Sequence, residues 1–149
     1  MAGAEHSIDV DVTPEQFWEV ISDYPQLPDF IPEIDSIRVE RWDGRIALVH
    51  YTTVMVKRIH YTLELVHHSK RDVRFRMVKG DVIKDIQGFW RLEDLPGGRT
   101  RATYHIELSV GRLVPQRILD RVQQRSLPKM LERFKARAEA IAAKGGASR

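Results

Sequence analysis

Between Ile34 and Val110 the chain alternates apolar and polar side chains with a period of two, broken only by short turn segments. Successive side chains of a strand point to opposite faces, so this rhythm demands strands with one buried and one wetted side. It predicts strands over 34–42, 45–55, 58–67, 72–79, 82–93 and 99–110, with a first strand near 5–12. The breaks fall at Asp43-Gly44, Val56-Lys57, Ser69-Lys70-Arg71, Gly80-Asp81 and Pro96-Gly97-Gly98. Connections this short force neighbouring strands to run antiparallel, which makes the sheet a meander. Strands near ten residues long twist and curl, and the concave side has to be covered by another element.

The rows of the alternation identify that concave side. Ile59, Tyr61, Leu63 and Leu65 share one face, as do Val73, Phe75 and Met77, then Ile86, Gly88, Trp90 and Leu92, then Ala102, Tyr104, Ile106 and Leu108. Arg58, His60, Arg74, Arg76, Arg91, Arg101 and Glu107 occupy the other. The segment Ile46 to Met55 is apolar on both faces; Val49 and Tyr51 are taken as inward.

Helical signals flank this core. Thr13, Pro14 and Gln16 form a helix start, with a capping threonine, a proline at the first helical position and a glutamine that completes a capping box. The helix is expected to run to about Ser22 and to bury Phe17, Trp18 and Ile21. The next stretch, Tyr24 to Pro32, has three prolines and holds at most one or two helical turns. A long helix is expected from about Val114 to Ala143, with Ile118, Leu119, Val122, Leu127, Met130, Leu131, Phe134, Ala138 and Ile141 on its apolar stripe. Pro128 interrupts it, directly after the polar run Gln123, Gln124, Arg125 and Ser126. A proline there removes one backbone hydrogen bond and crowds the carbonyl of Gln124, so a bend or local opening is expected. Two consequences remain open: the helix lifts away from the sheet before Pro128, or it merely curves toward solvent.

The chain has 149 residues, 42% of them hydrophobic, which matches one domain, expected over 1–144 with a flexible tail at 145–149. It contains no cysteine, which removes disulfides, thiolate nucleophiles and cysteine-ligated metals. No apolar run approaches the ~20 residues of a membrane span, and Met1 to His6 lacks the regions of a signal peptide, so a cytoplasmic location is expected. The net charge of +3 comes from interspersed acids and bases, against the concentrated basic face of a nucleic-acid binder. No histidine or acidic spacing fits a metal site, and no nucleotide or nucleophile motif occurs. No metal, cofactor or catalytic group is assigned.

One short helix pair and one long helix against a curled antiparallel sheet make an α+β layout. The order of the strand, the Trp18 helix, "DYPQLPDFIPEIDSIRV", "YTLEL", "GFWRLED" and the final "LPKMLERFKARAE" helix resembles the START/Bet v1-like helix-grip superfamily, and within it the polyketide cyclase/dehydrase branch that includes coenzyme Q-binding proteins. The resemblance implies a curved seven-stranded sheet wrapped around the long helix, with an elongated apolar cavity between them. As lining we assign Tyr51, Tyr61, Leu63, Phe75, Met77, Trp90, Tyr104, Ile106, Val122, Gln123, Ser126, Leu127 and Met130, with Phe30 and Ile31 as a lid. The expected function is carriage of a lipid, quinone or polyketide-like molecule. Polyketide cyclisation or dehydration is the alternative, although the inward row lacks the arginine that such cyclases use. A second alternative is a ribosome-associated interaction module, which the resemblance to the coenzyme Q-binding branch implies, with Lys57, Arg58, Arg74 and Arg76 as the bases to consider; a transient membrane contact is a further candidate.

Overall fold

The computed structural model describes residues 2–54, 57–112 and 114–147. Seven strands form one antiparallel sheet: β1 (Ala2–Val10), β2 (Ile34–Trp42), β3 (Ile46–Val54), β4 (Arg58–Ser69), β5 (Asp72–Gly80), β6 (Ile83–Leu95) and β7 (Arg99–Val110). Their spatial order is β1-β7-β6-β5-β4-β3-β2, a meander whose first strand closes onto its last. The expected strands are present. The first starts earlier than anticipated and ends at Val10, because β1 pairs along β7 from Ala2↔Leu108 to Val10↔Thr100. The expected end of β3 at Met55 and the turn residue Val56 lie outside the described residues. Gly97 and Gly98 both adopt positive φ, 81° and 71°, in the turn between β6 and β7, where a side chain would be strained.

Helix α1 (Pro14–Ile21) starts as its sequence requires. The Thr13 hydroxyl accepts from the Gln16 N–H at 3.2 Å, and the Gln16 side chain accepts from the Thr13 N–H at 2.9 Å. The proline-rich stretch makes a single 3-10 helical segment, Tyr24–Asp29. The C-terminal helix is divided. Helix α2 (Gln116–Arg121) passes into a π turn at Val122–Ser126, and α3 runs from Leu127 to Ala147. The turn is closed by a hydrogen bond from the Leu127 N–H to the Val122 carbonyl, five residues back. A wider turn immediately before Pro128 relieves the clash that an α-helical path would force on the carbonyl of Gln124. The helix also continues past the boundary expected at 144.

Helix α3 is gripped mainly by β1 and α1. Phe17, fully buried, meets Trp90 edge-on at 5.6 Å and Phe134 at 6.3 Å, and Trp90 meets Phe134 at 5.2 Å. Leu131, Phe134 and Ala138 are buried here, whereas Ile141 is half exposed. The α+β helix-grip arrangement expected from the sequence is the observed one.

Candidate functional site

Between the sheet and the stretch from α2 to the start of α3 lies a cavity of about 410 Å³. Its closed end is formed by Ile21, Leu27, Leu65, Val73 and Phe134, all buried. Its wall comes from the inward rows of β3 to β7, and its roof from Ile118, Val122, Ser126, Leu127 and Met130. It opens where lining residues are themselves exposed, between Val54 at the tip of β3 and Arg121 at the end of α2. The π turn is part of that roof: widening the helix by one residue per turn leaves Val122 and Ser126 facing the space.

Of the residues assigned from sequence, Ile31, Tyr51, Tyr61, Leu63, Phe75, Trp90, Tyr104, Ile106, Val122, Ser126, Leu127 and Met130 face the cavity. Three lie elsewhere. Phe30 stands edge-on against Phe134 at 5.2 Å with the Arg137 guanidinium over its ring at 5.1 Å, so it packs against α3 and does not line the cavity. Met77 packs into the core beside Gly80. Gln123 reaches the other way, its amide donating to the Gly3 carbonyl at 3.0 Å while His6 bonds its backbone oxygen at 2.9 Å, and so ties the π turn to β1. Gly88, in the inward row, leaves no space in the cavity: a Cβ there would overlap the His105 carbonyl and the Phe75 ring.

All four tyrosines of the chain line the cavity. Tyr51 and Tyr61 stack at 5.2 Å, Phe75 and Tyr104 stack at 5.6 Å, and Tyr104 meets Trp90 at 4.7 Å. Burial pushes every one of their hydroxyls toward the neutral form: Tyr61 is pushed up to about 12, and Tyr51 is raised by its burial, with smaller contributions from the neighbouring Tyr24, Tyr61 and Tyr104. Tyr61 shares a hydrogen bond with Thr53. The hydroxyls of Tyr51 and Tyr104 hold none with any described residue, and both remain accessible from the cavity. Because they face the cavity, these two hydroxyls can donate to an acceptor on a molecule held inside it. Among the described lining residues only Glu33 and Arg121 carry charge. Glu33 is paired with Arg133 at 3.0 Å.

Sequence reasoning missed a polar network beside the closed end. His67 is 5% exposed. Its Nδ1 accepts from the Trp18 indole N–H at 3.0 Å, which leaves the proton on Nε2 to bond the Tyr24 hydroxyl at 2.7 Å. Trp42 packs over the imidazole at 4.7 Å. Burial lowers the His67 pKa to about 4, so the ring is neutral and this tautomer persists at neutral pH. Since an indole only donates, the Tyr24 hydroxyl receives the imidazole proton and keeps its own free to give. The available signal was parity: His67 continues the inward row Ile59, Tyr61, Leu63, Leu65.

A family model described as polyketide cyclase / dehydrase and lipid transport matches residues 1–139. Among solved structures, TTHA0849 from Thermus thermophilus is similar at TM-score 0.83 and 18% identity, covering 94% of this chain and 99% of that one. The Zhui aromatase/cyclase from Streptomyces sp. R1128 is similar at TM-score 0.82 and 16% identity, covering 93% of each chain. A START superfamily protein from Mycobacterium smegmatis gives TM-score 0.83 and 15% identity, over 93% and 98%. At these identities the likeness is one of fold. No curated protein matches the sequence significantly.

Proposed function

The chain belongs to the polyketide cyclase/dehydrase and lipid transport family, and from that premise we propose that it binds one small hydrophobic molecule whose buried end carries oxygen acceptors. A quinone or a polyketide-like ketone has this character. The observation that carries the reading is the pairing of a cavity of about 410 Å³, a size typical of small-molecule sites, with the two partnerless phenols of Tyr51 and Tyr104. A neutral donor favours a carbonyl or hydroxyl oxygen. A carboxylate would go uncompensated inside, because the one cation among the described lining residues, Arg121, stands at the opening. Carriage of such a molecule in the cytoplasm is the role this chemistry suits best.

The test is a titration of delipidated protein, followed through quenching of Trp90, with a short-chain quinone and with an alkane-like probe of equal size. Changing Tyr51→Phe and Tyr104→Phe together is expected to weaken quinone binding by about tenfold per lost hydrogen bond and to leave the probe unaffected. Equal loss for both ligands, or loss for neither, contradicts the assignment.

A second reading, turnover of a polyketide, draws on the likeness to the Streptomyces aromatase/cyclase. The same phenols would then donate to an enolate oxygen as charge develops on it. It requires that Tyr104→Phe abolish turnover of a poly-β-ketone while binding persists. Absence of turnover in the unaltered protein leaves carriage as the function.

A further inference from the structure

We infer that the open end of the cavity is a docking surface for an anionic phospholipid membrane. In an antiparallel meander alternate turns fall at the same end, so the β3–β4 connection, the β5–β6 turn and the β7–α2 connection share one end of the sheet. That is the end at which the cavity opens. Its exposed bases outside ion pairs include Lys57, Lys79, Lys84, Arg112, Arg117 and Arg121. Among the described residues no carboxylate lies within ion-pair distance of any of them. The acids nearby are already engaged. Asp35 pairs with Arg58 at 3.3 Å, Asp81 accepts the backbone N–H groups of His60 and Val82, Asp120 accepts from Gln116, and Glu33 holds Arg133. Among the described acids at this end, Asp85 alone remains against the six.

Two large apolar side chains accompany these bases. Val54 and Val78 are 43% and 46% exposed, and Val54 also lines the cavity. Apolar tips ringed by unpaired bases are what a headgroup layer with negative charge accepts: the bases gain from the surface potential and the valines from the acyl boundary. RNA would favour exposed aromatic rings for stacking, and the one exposed aromatic among the described large hydrophobics, Trp42, lies at the other end of the sheet. Docked this way, the cavity faces the lipid, and a hydrophobic ligand passes between membrane and protein without crossing water. The proposal rests on the carrier reading for its purpose, but docking itself needs no ligand.

The experiment is flotation of the ligand-free chain with vesicles of phosphatidylcholine alone and with added phosphatidylglycerol. The chain is expected to float with the anionic vesicles only, and to be released as the ionic strength rises toward about 1 M. Each base is worth about fivefold in partitioning, so Lys79→Glu, Lys84→Glu and Arg117→Glu together are expected to cost at least about a hundredfold. Val54→Asp should reduce it further, while Arg45→Glu, at an exposed base of the opposite end, should leave it unchanged. Quinone titration of the triple variant keeps the two claims apart: binding retained with docking lost supports the surface whatever the ligand proves to be. Flotation lost equally in Arg45→Glu, binding to RNA but not to vesicles, or no flotation with anionic vesicles at low salt overturns it.

Discussion

The two ends of this sheet are built from the same strands and treat charge and volume in opposite ways. At the end formed by the β2–β3, β4–β5 and β6–β7 turns, most bases are matched. Arg41 meets Asp43, Arg71 meets both Asp94 and Glu15, Arg99 meets Asp11, Arg101 meets Asp9, and Lys135 meets Glu139. Arg45 is an exception, and Lys70 lies over the Trp18 ring. Beneath them the interior is filled by Phe17, Trp90 and Phe134. At the other end the helix is wound into a π turn, the space below is hollow, and six described bases stand outside any ion pair, with Arg58 and Arg133 paired beside them. Stability is concentrated where the helix is gripped. The region that serves a ligand is the one relieved of packing and pairing.

The largest test of that division is a pair of truncations on one helix. Phe134→Ala is expected to cost about 3–5 kcal/mol in denaturant unfolding, because its ring is enclosed by Phe17, Phe30 and Trp90. Met130→Ala, four residues earlier and facing the cavity, should cost about 2 kcal/mol or less, since it enlarges an existing space. Equal costs would break the comparison.

His67 sharpens it through pH. Its folded pKa is depressed to about 4 by burial, so the neutral ring is the one the fold accepts. Stability from this group is complete above the unfolded value of about 6.5, falls as pH drops from there toward 4, and falls no further below. The loss is on the order of 3 kcal/mol, and His67→Gln, which can still accept from Trp18 and donate to Tyr24, should flatten that part of the profile. An unchanged slope would mean that other groups carry the acid sensitivity.

Smaller effects follow at the roof and the surface. Pro128→Ala restores a backbone N–H and lets Val122–Ser126 rewind as α-helix; stability should rise by about 1 kcal/mol while ligand affinity falls as the roof residues turn. Arg71→Ala, despite two carboxylate partners, should cost less than about 1 kcal/mol, because the guanidinium and both acids are solvated.

The sheet was legible because period two and turn composition are local. So was the start of α1, whose capping box needs only residues 13–16. The inward rows carried over to the cavity wall for the same reason: parity assigns Tyr61, Leu63, Trp90, Tyr104 and Ile106 without knowledge of the helix. What stayed hidden depends on contacts distant in sequence. Gln123 looked like a cavity residue until its amide was found on Gly3, and Phe30 looked like a lid until Phe134 and Arg137 enclosed its ring. Phe134 closes the far end of the cavity and was read as core alone, since one side chain does both. The π turn had a local cause in Pro128, but a kinked α-helix satisfies the same sequence, and only the packing of the helix on β1 selects between them.

The central claim is that an enclosed apolar space under the π turn takes up a ligand, and the most direct measurement is the stoichiometry of a fluorescent apolar probe in two proteins, unaltered and Ser126→Phe. The account predicts one saturable site per chain, with energy transfer from Trp90, and its loss when the phenyl ring fills the roof while the melting temperature holds. Saturable binding that persists undiminished in Ser126→Phe, or no saturable binding in either protein, would contradict it.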